Sequence, residues 1–322
     1  MLTSNTMAHA DWVAAVSPKI DLEFNYESFE QKDVLGNIAT EQEGVVTSLD
    51  LESIIPIRSG LLISVLYEYE ISGESHGAFD ALYLNFQDVS VDGKVGKLTQ
   101  LFVDPDSEFI SSSVTEFAEV GGEGVFIGAG PSYGQNAAAG FAMRGYILEA
   151  DNDFSELDFD SGVRKVGGID FQYQFSDSNA GLVFGFLSNL SYPGQLSNSG
   201  TSPAVHGELS WGIGKIDAAL EYVSMLGNVE VETDSDLTPS AARVEAFYHG
   251  ENDFGAGMRA EFTQDLAGFP SDRISLLGLY EWTENSRIAL EVSRSRELKS
   301  LDEEELALER IDAISLSFFL EY

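Results

Sequence analysis

The sequence contains no cysteine, so neither a disulfide framework nor a thiolate metal site can form. Basic residues are scarce as well. Only 17 Lys and Arg stand against 54 Asp and Glu, and the resulting net charge of -37 repels polyanions, which excludes nucleic acid as a partner. Histidine occurs four times. No stretch approaches the roughly 18 to 20 apolar residues that a membrane helix needs, since the richest, Ile54 to Tyr67, is broken by Pro56 and Arg58. A helical membrane protein is thereby excluded. Walker-type loops, His-x-x-x-His pairs and dinucleotide glycine fingerprints are all missing.

What is present argues for a folded chain in spite of the charge. Of 322 residues, 43% are hydrophobic and 11% aromatic, too many for a disordered acidic polymer. The apolar residues recur with a period of two. Ile20, Leu22, Phe24 and Tyr26 alternate with Asp21, Glu23, Asn25 and Glu27, and Ile314, Leu316, Phe318, Leu320 and Tyr322 alternate with mostly small or polar neighbours. Strands of about ten residues, apolar on one face and ending on an aromatic residue, suit an outer-membrane barrel. The same pattern marks Val45 to Ile55, Leu61 to Ile71, Phe79 to Gln87, Val95 to Val103, Gly122 to Ala129, Ala139 to Glu149 and Gly168 to Phe175. It continues in Leu182 to Leu190, Ala204 to Gly212, Ile216 to Met225, Ala242 to His249, Gly255 to Gln264, Ile274 to Trp282 and Arg287 to Ser295. With both ends this predicts an all-β, antiparallel, up-and-down transmembrane barrel of sixteen strands, with fourteen as the alternative count.

Connection lengths give a second pattern. Long segments at 28–43, 72–77, 104–119, 150–165, 191–203, 227–239, 264–272 and 295–309 are separated by short turns such as Pro56 to Gly60 and Gly212 to Lys215. Membrane barrels have long loops at one end and tight turns at the other, whereas a sandwich or propeller has no reason to alternate them. Residues 1–10 are expected to be a residual export signal or disordered segment, because Ala8-His9-Ala10 has the form of a signal-peptidase site, and 11–322 the barrel.

In such a barrel the apolar set meets lipid and the opposite set faces the lumen. Phe141, Met143 and Ile147 then point out and Arg144 and Tyr146 in; Val244, Ala246 and Tyr248 out and Arg243, Glu245 and Phe247 in. Met258, Ala260 and Phe262 point out and Arg259 and Glu261 in, while Ile288, Leu290 and Val292 point out and Arg287 and Glu291 in. Asp21, Glu23, Glu27, Asp50, Glu52, Glu68, Glu70, Asp170, Glu208, Asp217 and Glu221 share the lumen parity, so the wall is predominantly acidic. The paired Arg and Glu either brace the wall by neutralising one another or form an ordered row of charges that grips a passing solute. The candidate solute-binding residues are therefore Arg144, Arg243, Arg259, Arg287, Glu245, Glu261, Asp21, Glu23, Asp50 and Glu52.

The order of several stretches resembles the LbtU-type siderophore porin family: IDLEFNY at Ile20 to Tyr26, VTSLDLES at Val46 to Ser53, LLISVLYEYE at Leu61 to Glu70 and FDALYLNF at Phe79 to Phe86. Further on, GELSWGIGKIDAALEYV from Gly207, TPSAARVEAFY from Thr238 and SRIALEVSRSREL from Ser286 carry it. GKLTQLFVDPDSEF, from Gly96 to Phe109, departs from it by lacking the pro-phe-gly turn usual in that family. The resemblance implies an outer-membrane barrel linked to uptake of ferric siderophores and transfers no catalytic residue.

Enzyme chemistry finds little foothold. His206 lies in a lumen-facing row with Glu208 and Ser210, but His206 and Ser210 are about 13 Å apart by strand rise, too far for a base and its nucleophile. The acidic segment Asp151 to Asp160 could supply oxygen ligands to calcium, yet it lacks the glycine of an EF-hand loop and reads as a solvated loop. No cofactor is expected. The expected partners are outer-membrane lipid and lipopolysaccharide and a small solute such as a ferric siderophore, in a monomer or trimer. A barrel plugged by its own side chains, or an outer-membrane hydrolase, are the alternative readings.

Overall fold

The computed structural model describes residues 17–32, 38–58, 61–70, 76–88, 91–102, 107, 109–111, 113–118, 120–130, 140–150, 164–175, 179–191, 201–227, 229–230, 236–250, 253–266, 269–283, 286–298 and 308–321. The strands are β1 (Ser17–Lys32), β2 (Ile38–Arg58), β3 (Leu61–Glu70), β4 (His76–Asp88), β5 (Val91–Leu101), β6 (Val120–Ala129), β7 (Gly140–Ala150), β8 (Arg164–Gln174) and β9 (Asn179–Ser191). They continue as β10 (Thr201–Ile213), β11 (Ile216–Met225), β12 (Val229–Glu230), β13 (Asp236–Leu237), β14 (Ser240–His249), β15 (Phe254–Gln264), β16 (Pro270–Thr283), β17 (Ser286–Leu298) and β18 (Leu308–Glu321). β12 and β13 pair only with each other. The remaining sixteen form one antiparallel sheet in chain order, closed by β1 against β18 from Asp21↔Glu321 to Lys32↔Arg310.

Closure leaves no sheet edge, so every strand can satisfy its backbone polar groups from its two neighbours, as hydrocarbon requires. Side-chain parity follows the sequence reading. Phe141, Met143 and Ile147 are exposed on the outer wall, as are Val244, Tyr248, Met258, Phe262, Leu290 and Val292. Ala142, Tyr146 and Leu148, of the opposite parity, are buried. Near the short connections the outer face carries Tyr173, Phe175, Tyr248, Phe254, Tyr280 and Trp282, an aromatic girdle of the kind that marks the lipid–water boundary. Between β10 and β11 the turn is only Gly214-Lys215, and Gly214 at φ +64 supplies the left-handed residue that a two-residue hairpin turn demands.

Two expectations are corrected. The long connection expected over 28–43 is mostly strand. β1 and β2 stay paired from Glu27↔Glu43 to Lys32↔Ile38 beyond a bulge at Asn25/Glu27, leaving only five residues between them. Glu27, Glu30, Glu41 and Glu43 carry no apolar period there, because a strand that protrudes beyond the lipid has no reason to keep one. The strict alternation of connection lengths also fails once: ten residues separate β6 from β7 at the end where the other connections are short.

Candidate functional site: an inward segment on a charged wall

The connection between β5 and β6 turns into the barrel. Phe102, buried and at φ +82, starts the turn, and its ring meets the His206 ring edge-on with centroids 5.7 Å apart. Phe109 reaches the far side, packed with Leu277 of β16 and Ala289 of β17, with the Arg259 guanidinium 4.6 Å above its ring. The segment then returns through a 3₁₀ turn, Val114–Ala118, which packs on β11, β14 and β15. Val114 and Ala118 enter an apolar cluster with Phe102, Leu98, Phe126, Tyr146, Leu187 and Val223, all buried inside the barrel.

Register explains why charges meet this segment. Glu221 of β11 lies opposite Arg243 of β14, which lies opposite Glu261 of β15, which lies opposite Arg273 of β16. One step towards the short turns, Glu245 lies opposite Arg259. Opposite signs therefore alternate along and across neighbouring strands, the arrangement that sheets favour for cross-strand pairs. Arg243 sits 3.1 Å from Glu221, Arg259 lies 3.2 Å from Glu261 and 3.6 Å from Glu291, and Arg273 pairs with Glu261 as well.

Each carboxylate also accepts from the inward segment. The Ser107 hydroxyl donates to Glu245 (2.9 Å), the Ser111 amide and hydroxyl to Glu291 (2.9 and 2.6 Å), and the Val114 amide and Ser113 hydroxyl to Glu261 (2.9 and 3.1 Å). The Thr115 hydroxyl donates to Glu221 at 2.6 Å. Arg259 donates to the Ser111 carbonyl at 2.7 Å and to its hydroxyl. Buried charges survive best when paired and hydrogen-bonded. The carboxylates of this wall meet both conditions through the segment lying on it, while Nε and Nη1 of Arg243 and of Arg259 make no hydrogen bond, and Nε and Nη1 of Arg243 and Nε of Arg259 have ion-pair neighbours.

The candidate solute-binding residues are thus only partly assembled. Arg243, Arg259, Glu245 and Glu261 come together, but Arg243 and Arg259 are 2% and 0% exposed and face protein groups of the wall and the segment. Arg144 is separated from Arg243 by the four strands β8 to β11 in barrel order and pairs with the buried Asp170 opposite it on β8. Arg287 stands near the short turns, opposite Glu281 on β16. For Asp21, Glu23, Asp50 and Glu52 the backbone register alone is described: Asp21↔Asp50 and Glu23↔Ser48 pair, and their side chains lie outside the described residues. Residues 151–160 and 1–10 lie outside them too.

A second feature is a cavity of about 120 Å³ on the wall of β7 to β10, lined by Arg144, Asp170, Gln172, Gln174, Gly181, Val183, His206, Glu208 and Ser210. The absence of a side chain at Gly185 makes room between Asp170 and Phe102: a Cβ there would stand 2.3 Å from Asp170 Oδ1 and 3.1 Å from the Phe102 ring. Sequence reasoning missed the segment's contribution, Ser107, Ser111, Ser113 and Thr115. The hydroxyl-rich run Ser111-Ser112-Ser113-Val114-Thr115 is the one signal that could have found it.

Among the described residues the architecture is that of a porin-type barrel in which the β5–β6 connection folds into the lumen. Pseudomonas putida OprB superposes with a TM-score of 0.67 at 8% identity, over 97% of this chain and 96% of that one. An anion-selective porin from Comamonas acidovorans gives 0.63 at 11% identity over 95% and 100%, and Salmonella typhi OmpF in complex with daunomycin gives 0.62 at 11% over 94% and 97%. At such identities the likeness is one of fold. No protein-family model matches the sequence, and neither does any curated protein.

Proposed function

We propose that the protein is an integral outer-membrane channel for small solutes, whose passage is narrowed by the segment from Phe102 to Ala118. The observation that carries this reading is the docking of that segment across a sixteen-stranded lumen, a barrel size that otherwise encloses an aqueous channel. The apolar outer wall with its aromatic girdle supports the membrane setting. A channel is favoured over a hydrolase because the buried carboxylates Glu221, Glu261 and Glu291 are engaged in holding the segment. We assign Arg243, Arg259, Glu245 and Glu261 to bracing, and solute contact to the open cavity of Arg144, Gln172, Glu208 and Ser210. Ferric siderophore as the solute, lipopolysaccharide as a surface partner and assembly as a monomer or a trimer belong to the same proposal; the first rests on the family resemblance.

Planar-bilayer recording of the purified protein is the test. Discrete conductance steps are expected, and a folded protein that never conducts would replace this reading with the plugged structural barrel. Growth on a ferric siderophore under iron limitation, compared between wild type, Arg144→Gln and a deletion strain, tests the solute class separately. Equal growth of a deletion strain would remove the siderophore from the proposal and leave the channel standing.

A further inference from the structure

We propose that His206, Glu208 and Glu221 form a binding site for one divalent transition-metal ion of the zinc type, on the lumen wall where the inward segment touches β11. The three residues come from two adjacent strands. Glu208 of β10 and Glu221 of β11 are directly opposite in the register, and His206 stands two residues along β10 on the same face. One nitrogen or oxygen from each lies within 4.8 Å of the others. Like charges directly opposite one another destabilise a sheet, and a cation between them reverses the sign of that interaction.

The donors suit zinc better than calcium. Calcium takes six to eight oxygens, whereas an imidazole with two carboxylates is a set used by zinc and its neighbours, with one position left for water or a passing ligand. His206 Nε2 lies 3.0 Å from Glu221 Oε1. Two donors each about 2.0–2.1 Å from a tetrahedral ion stand roughly 3.4 Å apart, so a few tenths of an ångström separate this pair from bridging geometry. Contacts on its far side orient Glu221 for this role. Its other oxygen takes the Thr115 hydroxyl at 2.6 Å and faces Arg243 Nε at 3.1 Å, which leaves Oε1 on the His206 side.

His206 is 1% exposed and lines the cavity, with Nε2 turned to Glu221. Metal on Nε2 would place the ring proton on Nδ1, which has no hydrogen-bond partner among the described residues. Glu208 and the cavity connect the site to the lumen, and an acidic wall raises the local concentration of cations.

The test uses the full chain, folded in detergent, stripped with chelator and titrated with zinc chloride by calorimetry. One saturable site per chain is expected, with calcium unable to displace the zinc at equal concentration. Glu208→Gln and His206→Ala should each weaken zinc binding at least tenfold, with folding checked by heat-modifiable migration. His249→Ala, near the mouth beside Asp217, should leave binding unchanged. Glu208→Gln is nearly isosteric and keeps the proposal falsifiable if His206→Ala fails to fold. A zinc isotherm identical in wild type and Glu208→Gln, equal competition by calcium, or loss on His249→Ala would each overturn it.

Discussion

Glu261 shows how the wall and the segment depend on one another. Its carboxylate is fully buried and faces Arg259 and Arg273 while accepting from Ser113 and Val114. Removing one member of a buried pair leaves uncompensated charge and costs about 3–5 kcal/mol. Glu261→Ala should therefore lower the denaturant midpoint of the folded band on unboiled gels by a clear margin. Arg294→Ala breaks a pair with Asp312 that lies on the exposed rim, 62% and 38% accessible. Exposed pairs contribute little, so that midpoint should not move measurably. Equal shifts would contradict the burial contrast. A second residue-level expectation concerns Gly168, opposite Tyr146 in the β7–β8 register. A Cβ there would stand 2.1 Å from the tyrosine ring, so Gly168→Val should destabilise, and Gly168→Val with Tyr146→Ala should recover part of the loss.

Among elements, the strands were legible and the inward segment was not. Each barrel strand carries its own period-two evidence, because one face must meet lipid wherever it crosses, so Val244, Ala246 and Tyr248 declare their side unaided. Residues 104–119 instead read like any surface loop, since Asp104-Pro105-Asp106-Ser107 is turn chemistry and the partners lie in strands 100 or more residues away. Parity put Arg243, Glu245, Arg259 and Glu261 in the lumen correctly but could not say that a segment of the same chain would cover them. Replacing Ser111 and Ser113 by Ala with Thr115 by Val should loosen that cover while the barrel still folds. Larger or noisier single-channel currents and new protease sensitivity within 103–119 are the expected readouts; currents and cleavage like wild type would show that the apolar contacts of Phe102, Phe109 and Val114 hold the segment alone.

At the scale of the whole molecule, charge dominates. A net charge of -37 in a chain whose lumen parity carries many carboxylates concentrates cations in the mouth and should give a cation-selective channel. The measured reversal potential in a salt gradient should show this preference most strongly at low ionic strength, because about 10 Å of screening length at 0.1 M shrinks to about 3 Å at 1 M. Anion preference at low salt would mean that Arg144 and Arg287, not the acidic rows, set the field along the path.

The distances in sequence between the segment and its anchors carry a consequence for biogenesis. Ser107, Ser111, Ser113 and Thr115 bond to groups 138, 180, 148 and 106 residues further along. Such contacts close large loops and cannot form until the strands that bear them are in place. Strands as late as β17 must therefore be in place before the segment settles, and a short-lived intermediate with an uncovered wall is expected from that order of events. In stopped refolding experiments, resistance to protease within 103–119 should appear later than the heat-modifiable band, with the lag lengthened by Glu291→Gln. For that interval the newly assembled wall is at its most permeable, and the speed of the last docking step determines how long the leak lasts.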